Sequence, residues 1–152
     1  MVGRRRAREF ALQALYAVDL GGGSGAAALS GLWAGRLDDE DEVSEPISHE
    51  EMEFAQELVR GVLEGREAID TRIEAASLHW RLPRMPMVDR NILRVGAHEI
   101  VSRADIPASV SINEAIELAK RFGGAESRAF VNGILDRIAA DAGRGGRRPR
   151  RS

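Results

Sequence analysis

Four arginines, Arg4, Arg5, Arg6 and Arg8, crowd the start of the chain, and its only tyrosine, Tyr16, follows in the same stretch, RRRAREFALQALYAV. Guanidinium groups grip phosphate through paired N–H donors and an aromatic ring offers a base a stacking face, so the combination suits a ligand of phosphates and flat rings. At about 100° per residue, a helix over 4–18 puts Ala7, Phe10, Ala11, Ala14, Leu15 and Val18 on one stripe. Arg5, Arg6, Glu9, Gln13 and Tyr16 share the opposite side, which predicts an exposed tyrosine. A helix start already carries roughly half a positive charge, and each cation added there costs a few tenths of a kcal/mol unless something negative sits nearby. Nucleic acid would be such a partner; a solvated helix start is the plainer reading.

A second candidate surface lies near the other end. Phe130 projects roughly 90° from the centre of the stripe set by Val131, Ile134 and Ile138, at the edge of a core, where it serves either as a core ring or as a stacking platform. Ser127 and Arg128 in the same first turn could join backbone donors in gripping a nucleotide.

Catalytic constellations are missing. The chain has no GxxxxGKS/T phosphate loop, GxGxxG turn, HExxH pair or GxSxG elbow. His49, His79 and His98 lie on three segments and form no metal set. Glu99 falls inside an apolar arc, where an ion pair with an arginine is the expected partner. With no cysteine, disulfides, thiolate zinc sites and cysteine nucleophiles are excluded. No cofactor and no metal are expected.

The elements that must position these residues read as helices. At 152 residues the chain is long enough to bury a core without disulfides or metal. After the first helix, Gly21-Gly22-Gly23 breaks the chain, and a short helix runs from Ala26 to Leu37. An acidic loop, Asp38 to Glu42, closes at Pro46 and reads as a solvated connection. Ser48 with Glu51 forms a capping box for a third helix carrying Met52, Ala55, Leu58, Val59, Val62 and Leu63 and ending at Gly65. Ile69, Ile73 and Ala76 line a fourth. Pro86 fits the first turn of a fifth that reaches about Ser102, with a wide apolar arc that marks a helix packed on two sides. Ser111 with Glu114 reads as a second capping box, and Ser127 opens the last helix. The expectation is an all-α fold of about seven helices in two small bundles sharing the fifth, with residues 1–142 as one domain and 143–152 as a disordered arginine-rich tail.

The net charge of −2 hides a segregation. Both ends are cationic, while residues 21–142 carry a formal charge of −9. Such a pattern can steer a polyanion to one surface and present acid to a basic protein. No run approaches the roughly 18 apolar residues of a membrane span, and the start is not a signal peptide, so a cytoplasmic location is expected.

Together, RRRAREFALQALY at Arg4, LVRGV at Leu58, VDRNILRVGAHEI at Val88, DIPASVSINEAIELAKRF at Asp105 and FVNGILD at Phe130 resemble the NusB family of bacterial transcription factors. The resemblance runs from Arg4 to Ile138. It implies an all-helical, non-catalytic protein that pairs with NusE, itself a small-subunit ribosomal component, binds the boxA element of nascent ribosomal RNA, and joins an RNA polymerase antitermination complex. The family's RNA surface carries over as Arg4, Arg5, Arg6, Arg8, Gln13 and Tyr16, with Ser127 and Phe130, and moves Phe130 from core toward contact. Its partner face carries over as Asp89, Arg90 and Arg94. Ala129 departs from the basic residue of many relatives, and the stretch Gly21 to Pro46 looks long for the family.

Two other readings stand beside the adapter. NusB-like domains also precede ribosomal RNA methyltransferase domains; about ten residues are expected to follow the last helix here, so that reading would hold only for a fragment. A self-associating helical protein, such as a homodimer with merely solubilising basic ends, would lack salt-dependent RNA binding.

Overall fold

The computed structural model describes residues 3–38, 46–78 and 80–144. The acidic run from Asp39, His79 and the arginines beyond Arg144 lie outside them. Among the described residues the chain forms seven α-helices, one short 3-10 turn and no strand: α1 (Arg4–Gly21), α2 (Gly25–Asp38), α3 (His49–Glu64), α4 (Arg66–Ala76), the turn (Leu82–Arg84), α5 (Met87–Ser102), α6 (Ala108–Phe122) and α7 (Ser127–Asp141). They divide into two compact units, α1–α3 up to Glu64 and α4–α7 from Gly65.

In the first unit α1 packs on α2 and α3. The predicted stripe is buried from Ala7 to Leu15, joined by Leu12, and the facing side of α3 buries Phe54, Ala55, Leu58, Val59 and Val62. Phe10 meets Trp33 of α2 edge to face, with ring centroids 6.3 Å apart. The capping box of α3 forms as read: the Ser48 N–H donates to Glu51 Oε1 at 3.0 Å and the Glu51 N–H to Ser48 Oγ at 3.1 Å.

The second unit is built round α5, where residues 91–100 are all buried against α4, α6 and α7. The wide arc is therefore real, but α5 belongs to this unit and is not shared between two bundles. At its centre a Cβ on Gly96 would lie 2.7 Å from Leu135 Cδ1, so the missing side chain sets how closely α5 and α7 approach. Several buried polar groups in this core are matched. Arg94 donates to both carboxylate oxygens of Asp70 on α4, at 2.8 and 3.1 Å, and to Asn91 Oδ1 at 3.0 Å.

Glu99 accepts a 2.7 Å hydrogen bond from the Ser111 hydroxyl. That bond overturns the second capping box. Pro107 holds φ at −58° and caps α6, and its carbonyl accepts the Val110 and Ser111 N–H groups. Ser111 thus sits a turn inside the helix, with its hydroxyl drawn to the buried carboxylate.

Gly143 and Arg144, the first two residues of the expected tail, belong to the helix stop of α7, and the remainder of that tail lies outside the described residues. Gly143, at φ 73°, lets its own N–H reach the Ala140 carbonyl and the Arg144 N–H reach that of Ala139, a left-handed helix stop that glycine adopts without strain. The Arg144 guanidinium then donates to the carbonyls of Ile100 at 2.6 Å and Ile106 at 2.7 Å.

Candidate nucleic-acid interface

The helical period orients the α1 residues as read, and packing on α3 then divides the four arginines. Arg5, Gln13 and Tyr16 face solvent, with Tyr16 36% exposed. Arg4 is exposed as well, but its guanidinium lies 4.5 Å above the Phe54 ring.

Arg6 and Arg8 differ from expectation. Arg8 is only 4% exposed and approaches the same Phe54 ring at 5.2 Å. Arg6 is half-buried and forks onto Glu51, Nε to Oε2 at 2.6 Å and Nη2 to Oε1 at 2.7 Å, with Nη2 also donating to the Pro46 carbonyl at 3.0 Å. The cause is that α3 starts beside the start of α1, bringing Glu51 and Phe54 under the arginines. Hydrogen bonding from Arg6 is the main reason the Glu51 carboxyl falls from 4.5 to about 2, with Ser48 adding to it and burial opposing. Part of the negative charge that the crowded helix start requires therefore comes from within the chain.

The α7 patch is also divided. Ser127 is buried; its hydroxyl donates to Asp89 Oδ1 at 2.7 Å and accepts the Gly124 N–H at 2.9 Å. Arg128 and Ala129 are exposed and Phe130 is half-buried, placing Phe130 at the edge of the core. Of the residues carried over as a partner face, Asp89 and Arg94 are buried and bonded internally, and Arg90 is half-buried.

No group of His, Cys, Asp or Glu able to hold a metal occurs among the described residues. His98 is buried, and His49 pairs with Glu53 at 3.0 Å. No described helix is long and apolar enough to cross a membrane. What the sequence reading missed is an exposed apolar ridge, Leu78 and Trp80, 66% and 50% exposed; a tryptophan just past the fourth helix was the available signal.

The sequence profile of the NusB family matches residues 5–140. The chain belongs to the NusB family. Among its relatives, the transcription antitermination protein NusB of Trichlorobacter lovleyi is 52% identical over 137 residues, covering 90% of each chain. That of Myxococcus xanthus is 49% identical over 139 residues, 91% of this chain and 96% of its own. These relatives carry the name of a transcription factor, not of an enzyme. Among solved structures, NusB of T. maritima is similar with a TM-score of 0.77 at 36% identity, covering 92% of both chains. A crystal structure of the antitermination factors NusB and NusE in complex with dsRNA is similar with a TM-score of 0.77 at 25% identity, covering 91% of this chain and 96% of that one.

Proposed function

We propose that this NusB family member is a non-catalytic RNA-binding antitermination factor of the cytoplasm. It pairs with NusE and binds boxA of nascent ribosomal RNA within an RNA polymerase assembly. The observation that carries the reading is the outward row Arg5, Gln13 and Tyr16 on α1, flanked by the exposed Arg4. Cations beside a solvent-facing ring are what a phosphate backbone with unpaired bases requires. The relative solved with NusE and RNA supports the same pairing here. On the α7 side Phe130 and Arg128 supply the contact, while Ser127 holds the turn in place. At the start of α5, Arg90 is the residue of the partner set with a surface to offer.

Fluorescence anisotropy of labelled boxA and scrambled RNA, with and without NusE at two salt concentrations, tests this. Preference for boxA, tightening by NusE and weakening by salt are expected. Equal affinity for both RNAs with no effect of NusE would refute it.

A further inference from the structure

Within the second unit, a cleft of about 230 Å³ opens between one face of α7 and the segment that follows α4. Ala129, Phe130, Gly133 and Arg137 line the α7 side; Leu78 and Trp80 line the other. The α7 residues recur at helical spacing, so they form one continuous wall. Two of them are small, which leaves the floor open, and a Cβ on Gly133 would touch nothing within 4 Å.

The opposite wall is fixed. The Ser77 hydroxyl donates to the Trp80 carbonyl at 2.9 Å and accepts the Trp80 N–H at 3.3 Å, holding the Trp80 backbone from which the indole projects. At the rim, Arg137 is exposed but anchored, Nη1 donating to the Ala76 carbonyl at 2.9 Å. Among the described residues that line the cleft, its guanidinium is the one charged group.

We infer that this cleft takes one unstacked nucleobase of single-stranded RNA against the Trp80 and Phe130 rings, with the adjoining phosphate on Arg137. The inference rests on the RNA-binding reading and adds Trp80 and Arg137 to it. Size supports one base, because the cleft is smaller than the roughly 300–1,000 Å³ of sites that enclose a whole small molecule. Charge supports RNA over an acidic peptide side chain alone, because apolar rings beside an anchored cation match a base joined to its phosphate. Phe130 also belongs to the α7 surface of the proposed RNA contact, so a strand lying there reaches the cleft without a gap.

Trp33 and Trp80 are the two tryptophans, so Trp33→Phe leaves the cleft residue as the sole indole reporter. Titration of that variant with a single-stranded boxA oligonucleotide is expected to quench Trp80 emission with the same midpoint as anisotropy. Gly133→Leu extends a side chain from a position where a Cβ meets open space and so occupies the cleft. It is expected to abolish the quench and weaken RNA binding about 5- to 100-fold, as is Trp80→Ala, with thermal midpoints unchanged. Wild-type affinity in both variants, with no emission change on titration of Trp33→Phe, would overturn the cleft while leaving the α1 surface standing. Loss of NusE binding with RNA affinity intact would assign the cleft to a protein side chain and overturn it too. Absence of RNA binding by the unaltered protein would refute the broader reading along with this one.

Discussion

The Ser127 hydroxyl donates to Asp89 Oδ1 across 2.7 Å, and both residues are buried. This bond ties the first residue of α7 to the first turn of α5, so Asp89 supports the proposed α7 contact surface from inside. Ser127→Ala leaves a buried carboxylate without this donor and should cost about 1–3 kcal/mol. Asp89→Asn, which keeps an acceptor oxygen, should cost less than Asp89→Ala. Urea unfolding of the three variants checks the order; equal losses for Asn and Ala would show that the hydrogen bond contributes nothing.

Glu51 predicts an acid-sensitive element in the first unit. Its carboxyl is lowered from 4.5 to about 2 in the fold, so its stabilising contribution is complete above 4.5 and is lost as pH falls toward 2. The shift corresponds to roughly 3 kcal/mol at most. Glu51→Gln should therefore be less stable than the parent at pH 7, with the gap closing between pH 4.5 and 2. A gap that stays constant with pH would deny the ion pair its role.

Substitutions along α1 should separate two kinds of arginine. Arg5→Ala and Tyr16→Ala should weaken RNA binding, the tyrosine by about 1–3 kcal/mol, with little change in melting temperature. Arg5→Ala should also flatten the dependence of log affinity on log salt by about 0.7. Arg8→Ala should lower stability instead, because a buried stem and a ring contact are lost. Calorimetry beside RNA titration would reveal a melting loss in Arg5→Ala or none in Arg8→Ala, either of which contradicts this division.

Gly96→Ala forces a methyl to within 2.7 Å of Leu135 Cδ1. Overpacking of this kind costs about 1–3 kcal/mol. The loss should shrink when Leu135 is Val in the same molecule, by double-mutant cycle. Full additivity would mean that the two helices are not in contact there.

The helices were legible because each carries its own apolar stripe within a few turns; α1, α3 and α7 begin where the arginine run, Ser48 and Ser127 place them. The partners of polar groups were not. Arg6 and Glu51 are 45 residues apart, and no local spacing says that the two helix starts lie side by side. Arg8 follows Ala7 directly and enters the buried arc only because Phe54 widens it. Position 54, one turn before Leu58, was readable from spacing alone. Ser111 misled because its offset to Glu114 imitates a cap, although Pro107 had already begun the helix. Asp89 and Arg94 were mapped to a surface by resemblance, yet each meets a partner within the second unit.

The seat of Arg4 on the Phe54 ring has a consequence for how binding free energy arises. A long side chain free in water surrenders rotamer freedom when a phosphate fixes it, at about 0.5–1.5 kcal/mol for each group immobilised. Arg4 rests 4.5 Å above an aromatic face before any ligand arrives, so part of that ordering is already complete. Removing the ring while keeping every arginine would leave the number of displaced counterions unchanged and make the complex shorter-lived, an entropic loss that a salt titration alone would not register.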